Sequence, residues 1–426
     1  MTAPSGLRYP SGVSTLNLPP SQLPARCEVL VVGAGPAGSA AALTLAHAGF
    51  DVVLVDQHAF PRDKVCGDGL IPDAHNALRK LGVLDEVMAL AQSSTHVGCI
   101  GPRGGRVDVP GTLAVLPRKE LDLVLCRAAA RAGARMFAPL RYAAPLEDNG
   151  RVVGAQLKDG EALCEIRADW TLLATGAVPQ ALIAAGMSER QTPSGVALRG
   201  YIRNARMAGR IDKLEVVWHR AVSPGYGWIF PCRDGVFNVG VGITDSHDVG
   251  RGSRLAKKAA NLRQIFDDFI RIYAPARELV ESGEWVAPLK GAPLRCTLEG
   301  ARYSRPGLIV TGEAAGSTYL FSGEGIGKAM ETGILAAEAL RAGRVQSLDE
   351  AAVRARYEAG LKSLKPRFDL YAKANRVNRH PWLADLVIWR ANKSERLLRR
   401  MSGVLNETSN PGNLVSARGM LKLFTE

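Results

Sequence analysis

The chain has 426 residues, enough to bury a sizeable core and to form two domains. Hydrophobic residues make up 46% and charged residues 22%, an ordinary globular composition, and no apolar run approaches the roughly 20 residues of a bilayer span. The net charge of +13 comes with none of the common nucleic-acid motifs, and seven cysteines (Cys27, Cys66, Cys99, Cys126, Cys164, Cys232, Cys296) are scattered without a close pair, which disfavours nucleic acid as a partner, a disulfide framework and a structural zinc site, and points to a reducing cytoplasm.

The first 26 residues contain no acid and are rich in Pro, Ser and Gly, so residues 1–25 are expected to be a flexible extension and not a signal peptide. The first organised unit is "CEVLVVGAGPAGSAAALTLAHAGFDVVLVDQ". An apolar strand leads into Gly33, Gly35 and Gly38, spaced G-x-G-x-x-G with Ala34, Pro36 and Ala37 between them. An alanine-rich helix follows, then a second strand ending at Asp56. The acid lies 18 residues beyond the last glycine, which makes a weak motif strong. Gly33 permits the tight turn, Gly35 leaves room for a pyrophosphate, and Gly38 lets helix and strand pack closely. The helix N-terminus offers free N–H groups to the phosphates, and Asp56 suits the hydroxyls of an adenosine ribose.

The stretch "FPRDKVCGDGL" is polar and broken by glycine, so it reads as a loop, with helical spacing resuming in "IPDAHNALRKLG". "LPRKELDLVLCRAAARAG", residues 116–133, is a helix opened by Pro117 and Arg118, and strand-like pieces follow at 152–158 and 167–176. In the middle third, "SGVALRGYIR", "KLEVVWHR", "GYGWIFPC" and "GVFNVGVGI" alternate like antiparallel strands, with "PCRDGV" as a hairpin turn. Tyr226, Trp228 and Phe230 share one strand face, and read equally as a cavity wall or an aromatic core stripe. A second glycine-rich turn, "TGEAAGSTYLFSGEGIGKAM", follows the strand-like "GLIV" and carries Glu313 and Glu324. Two such turns at opposite ends of one chain suggest one long ligand. The last eighty residues look helical, and from Lys362 to Arg400 there are eleven Lys or Arg against three acids. Trp382, Leu386 and Trp389 fall on one helical face there, which suits an anionic membrane surface or an acidic partner protein. The seven histidines form no metal-ligand pattern.

Four patches in order, "GAGPAG" with Asp56, "KVCGDG" at 64–69, "YGWIFP" at 226–231 and "GEAAG…SGEGIG" at 312–327, resemble the geranylgeranyl reductase family of FAD-dependent oxidoreductases, within the superfamily built like p-hydroxybenzoate hydroxylase. The resemblance implies an α/β (α+β overall) chain: a Rossmann-type FAD-binding domain, an inserted antiparallel β-sheet substrate domain and a C-terminal helical segment. It places the FAD-binding domain at 26–80, 112–190 and 295–345, the β-sheet domain at 81–111 and 191–294, and the helical basic segment at 346–426. Non-covalent FAD would stretch from the first finger to the second. Lys64, Cys66, Gly67, Gly69 and Arg118 would touch it, as would Gly312, Glu313, Gly325 and Ile326. Glu313 stands where the family usually has Asp, and Arg118 also reads as a surface charge at a helix start. Cys66 is assigned to the cofactor loop and not as a nucleophile.

Tyr226, Trp228 and Phe230 would wall a pocket for an apolar or aromatic substrate. After "ATG" at 174–176 the Asp-Gly element followed by Ser and Arg of many related hydroxylases is missing, which leaves NADPH or a separate reductase as the electron donor. The implied activity is hydride transfer from reduced flavin to C=C bonds of a prenyl-type substrate. Its alternatives are a monooxygenase acting on an aromatic substrate, held on a partner protein or free, and a non-catalytic flavin or lipid carrier.

Overall fold

The computed structural model describes residues 16–244 and 261–411. Short runs dense in Val, Leu and Ile make the heart of the first sheet. Arg26–Val32 lies between Val52–Val55 and Ala162–Leu173, while Arg135–Phe137 and Leu308–Val310 extend the sheet outward, all in parallel. Parallel strands are covered on both faces, which is why each reads as a continuous apolar run and why all of Val52–Val55 is buried. One face packs on the helices Pro36–His47, Arg118–Arg131 and Ile326–Gln346. The other packs on a meander in which Arg141–Asp148 and Arg151–Asp159 run antiparallel onto Ala162–Leu173.

The long helix Ile326–Gln346 lies directly on Pro36–His47. A Cβ at Gly333 would overlap the backbone of Ala37, so a glycine is what lets the two helices approach. This contact brings the late glycine-rich turn beside the early one.

The second sheet has eight strands in the order Glu284–Leu294, Gly195–Arg203, Val236–Thr244, Gly225–Pro231, Leu214–Val217, Gln92–Ile100, Arg106–Val115 and Gly69–Leu70. The expected hairpin joins Gly225–Pro231 to Val236–Thr244. The expectation of a purely antiparallel sheet needs correction, because Leu214–Val217 pairs in parallel with Gln92–Ile100. Its outer face is covered by the helices Leu262–Ile272 and Ala274–Ser282, with Phe269 seated on Gly227.

Two domain limits also shift. The helices Pro72–Lys80 and Leu84–Leu90 bury Leu78 and Val87 in the same core as the first finger, and Gln92 pairs with Val115. The second sheet therefore takes up residues 92–115 and not 81–111. Part of the expected N-terminal extension is docked: Leu18 N–H donates to Met136 O at 2.9 Å, and Asn17 exchanges two hydrogen bonds with the Phe60 backbone. The C-terminal segment is helical as far as it is described, in Glu350–Ala374, Arg376–Arg379, Trp382–Ala391 and Glu395–Leu405.

Candidate active site

The three glycines of the first finger have different duties. Gly33 holds φ at +101°, and a Cβ there would overlap Ala174 O; one at Gly38 would overlap Gly33 O. Both are required by the chain's own packing. Gly35 has extended backbone, and the nearest atoms to a Cβ would be the guanidinium tips of Arg118 and Arg62, at 3.6 and 3.8 Å. Two cations thus face the start of the helix Pro36–His47 across an open gap. Pro36 stands first in that helix, where its missing N–H is no loss.

Arg118 is not a surface charge. It is buried, and its Nε and Nη2 donate to the two oxygens of Asp122 at 2.7 and 2.8 Å, while Arg62 Nη1 donates to the same carboxylate at 2.9 Å. Asp122 holds both guanidiniums at the gap, and Asp56 steadies Arg62 as well, so that N–H donors of the kind an anion takes stand ready there. Arg62 escaped the sequence reading, although it lies six residues after Asp56 in "FPRD".

Asp56 is buried at the cavity edge and partly engaged. It accepts from Ala34 N–H and His58 N–H, each at 2.9 Å, with Arg62 Nε 3.5 Å away. A carboxylate has further lone pairs for a ribose. Ala34 and Gly38 do not reach the cavity, whereas Gly33, Gly35, Pro36, Ala37 and Asp56 line it.

Lys64, Cys66, Gly67 and Gly69 line the same cavity. A Cβ at Gly67 or Gly69 would lie 3.3 or 3.4 Å from the Phe230 ring, so the loop rests flat on the aromatic strand. Asn238, on the neighbouring strand, clamps it. Its Nδ2 donates to Cys66 O at 2.8 Å and to Asp68 Oδ2 at 2.7 Å, and its Oδ1 accepts from Trp228 Nε1 at 2.8 Å. Asp68 sits in the left-handed region at φ +64° and also accepts from Tyr201 OH. Burial pushes the Asp68 carboxyl up to about 6, against the hydrogen bond from Tyr201 that favours its ionised form. Burial pushes the Cys66 thiol up as well, which suits a cofactor-loop residue and not a nucleophile. Asp68, Tyr201 and Asn238 share no sequence spacing that could have joined them.

From this loop the cavity, about 930 Å³ in volume, continues between the second sheet and the C-terminal helices. Its floor follows period-2 alternation: Tyr226, Trp228 and Phe230 on one strand, Leu214, Val216 and Trp218 beside them. The aromatic trio therefore lines a cavity. A Cβ at Gly240 would overlap the Trp228 ring, so that indole lies flat across the next strand. The roof, which the sequence did not announce, is Ala384, Val387 and Ile388 of Trp382–Ala391 with Met401 and Leu405 of Glu395–Leu405.

The second glycine-rich turn closes the cavity. Gly312, at φ +68°, is packed against Ala37 and does not line it; Glu313 does, accepting from Thr318 Oγ1 at 3.3 Å. Gly325 caps the helix Ile326–Gln346, and both Gly325 and Ile326 face the cavity. One end thus offers a helix start with two guanidiniums, suited to phosphates, and the middle offers a second helix start, suited to negative charge on a ring.

The chain matches the FAD binding domain family over residues 26–232. A menaquinone reductase of Mycolicibacterium smegmatis is 35% identical over 345 residues, covering 76% of this chain and 79% of its own. A digeranylgeranylglycerophospholipid reductase of Methanoculleus marisnigri is 31% identical over 326 residues, covering 73% and 75%. A solved geranylgeranyl bacteriochlorophyll reductase-like protein of Thermoplasma acidophilum shares the fold, with a TM-score of 0.69 over 94% of this chain and 96% of its own at 22% identity. A dinucleotide finger, a phosphate gap, a second helix start and these relatives converge: this chain is an FAD-dependent oxidoreductase and belongs to the geranylgeranyl reductase-like family.

Proposed function

We propose that the enzyme saturates C=C bonds in a prenyl-type chain, with bound FAD, once reduced, supplying the hydride. Gly35, Pro36, Arg62 and Arg118 would hold the pyrophosphate and Asp56 the adenosine ribose. Glu313 would reach the ribityl chain or the pyrophosphate, and the Lys64–Gly69 loop would lie along the ring. The start of the helix Ile326–Gln346 would stabilise negative charge on the reduced ring by about 1 kcal/mol.

The observation that carries this reading is the apolar half of the cavity, long, roofed by helices and continuous with the phosphate end. Menaquinone and digeranylgeranyl phospholipids, named in the relatives, both bear polyprenyl chains. Ala384→Trp puts an indole into the roof. The expected result is loss of turnover on long prenyl lipids with FAD content unchanged; undiminished turnover on such lipids would remove the chain from this cavity. Whether NADPH alone bleaches the bound flavin under argon separates NADPH from a separate reductase as the donor.

The helix Trp382–Ala391 also ties the cavity to a surface. Opposite its lining residues, Trp382 and Trp389 are 55% and 46% exposed, and Lys393 Nζ lies 4.8 Å from the Trp389 ring centre. Leu386, expected on that face, instead packs partly into the core. Exposed indoles among cations suit an anionic membrane interface, and we propose that this face docks there and brings the cavity to its lipid. No helix among the described residues is long and apolar enough to cross a membrane. Co-sedimentation with anionic vesicles should weaken with salt and in a Trp382→Ala, Trp389→Ala double variant. Binding indifferent to both would rule out this surface.

A further inference from the structure

Behind the second glycine-rich turn lies a set of ionisable groups that holding the cofactor does not explain. Lys328, buried in the first turns of the helix Ile326–Gln346, places Nζ 2.6 Å from Glu331 Oε2, 2.9 Å from Glu407 Oε1 and 4.0 Å from Asp73 Oδ2. Arg367 pairs with Glu407, and Tyr319 OH donates to Glu407 Oε1 at 2.6 Å. Asp73, from the helix Pro72–Lys80, lies against Gly327, where a Cβ would overlap its carboxylate, and its Oδ2 has no hydrogen-bond partner among the described residues. Glu324 lines the cavity and makes no ion pair among the described residues. Nearby, Tyr226 of the second sheet donates to Ser322 O, and Tyr371 of the helix Glu350–Ala374 donates to Val404 O at 2.8 Å.

Among the described residues, four carboxyls, Asp73, Glu324, Glu331 and Glu407, thus stand against two cations, Lys328 and Arg367. An uncompensated buried charge costs several kcal/mol, so such a cluster relieves itself by holding protons. Burial, followed by the Asp73 and Glu407 carboxylates, pushes Glu324 up to about 8, outweighing the Ser322 hydroxyl and the Lys328 ammonium. Burial pushes Asp73 up to about 7 with Lys328 pulling the other way. Of the other cavity acids, Asp56 and Asp63 are ion-paired, Asp68 is engaged by Tyr201 and Asn238, and Glu313 accepts from Thr318 and is assigned to the cofactor.

Saturating a C=C bond takes a proton as well as a hydride. We propose, resting on the reduction reading above, that Glu324 is the proton donor of this cavity and that Asp73, Lys328 and Glu407 relay its replacement from half-exposed Glu331. The hydride, with its electron pair, forms a C–H bond to one alkene carbon, and the π pair at the other carbon takes the proton as the Glu324 O–H bond breaks. The substrate would gain two hydrogens, its two electrons being those a reduced flavin held there would supply, and the Glu324 carboxylate would recover a proton from water through the cluster. Gly327 then has a reason of its own: it admits the Asp73 carboxylate against the helix.

The test uses the FAD-loaded protein under argon, reduced with dithionite and given a polyprenyl lipid. Glu324→Gln should lower saturation by about 100-fold or more, in the range a general acid contributes, with FAD content and flavin reduction unchanged, and Glu324→Asp should recover part of the loss. Wild-type turnover should fall as pH rises through about 8, where the donor loses its proton. Without turnover, infrared difference spectra taken between about pH 6 and pH 9 should show a protonated carboxyl band that titrates in the wild type and is diminished in Glu324→Gln. A wild type that saturates nothing would overturn the reduction reading together with the donor. Saturation in Glu324→Gln within about three-fold of wild type, or an infrared difference identical to it, would overturn the donor alone.

Discussion

Gly35→Val separates a cofactor contact from a folding contact more cleanly than any other change in the finger. The backbone at Gly35 is extended (φ −79°, ψ −173°), a conformation open to any residue, and the nearest neighbours of a new Cβ are guanidinium tips at 3.6 and 3.8 Å. The folded apoprotein should accept the change within about 1 kcal/mol, the scale of a lost helix cap. The same side chain fills the gap between the helix start, Arg62 and Arg118 where a pyrophosphate would lie. Two charge-assisted hydrogen bonds at about 1.5–3 kcal/mol each amount to roughly 3–6 kcal/mol, or about a hundred- to twenty-thousand-fold in Kd. Flavin titration of the apoprotein and urea unfolding read the two effects separately. By contrast, Gly38→Ala should unfold the finger, since its Cβ would overlap Gly33 O. Wild-type FAD affinity in Gly35→Val, or an apoprotein too unstable to titrate, would refute this placement of the phosphates.

Glu313→Ala should weaken FAD binding by about 1–3 kcal/mol in the same titration, the cost of a lost charged hydrogen-bond partner; unchanged affinity would make Glu313 a bystander. Asn238→Leu strips a donor from Cys66 O and from buried Asp68, and should cost about 2–4 kcal/mol of stability by urea unfolding. Trp228→Ala should impair turnover while leaving FAD bound, since the indole floors the cavity from the second sheet and is no part of the phosphate finger. Asp73 and Glu324 are held up at about 7 and about 8 when folded, against ordinary values of 3.8 and 4.5, so the folded state binds the extra protons. Their stabilising effect is complete below those ordinary values and is lost as pH rises through about 7 and 8. Asp73→Asn should flatten that decline, and a parallel pH profile would contradict it.

Local signals were legible in the sequence wherever one element carries its own reason. Gly33 and Gly38 had to be glycine because backbone lies where their side chains would be, and the strand–finger–helix order announced it. The alternation of Tyr226, Trp228 and Phe230 gave their shared face, but which neighbour they met depended on tertiary packing. The cavity roof was not readable, because Ala384, Val387 and Ile388 look like any helix core stripe. The Asn238 clamp and the Asp73–Lys328 contact join residues from distant elements, and no local spacing encodes such a meeting. Arg118 shows the converse: the family resemblance put it at the cofactor while its place at a helix start also read as surface, and the buried pair with Asp122, one turn on, excludes the surface reading.

The reaction itself is tested most directly by weighing the product. With FAD-loaded protein reduced by dithionite under argon, a polyprenyl lipid should gain two hydrogens per turnover, and admitting labelled oxygen should add no oxygen atom to it. A product formed only in air and carrying one labelled oxygen would contradict C=C reduction and make the enzyme a monooxygenase.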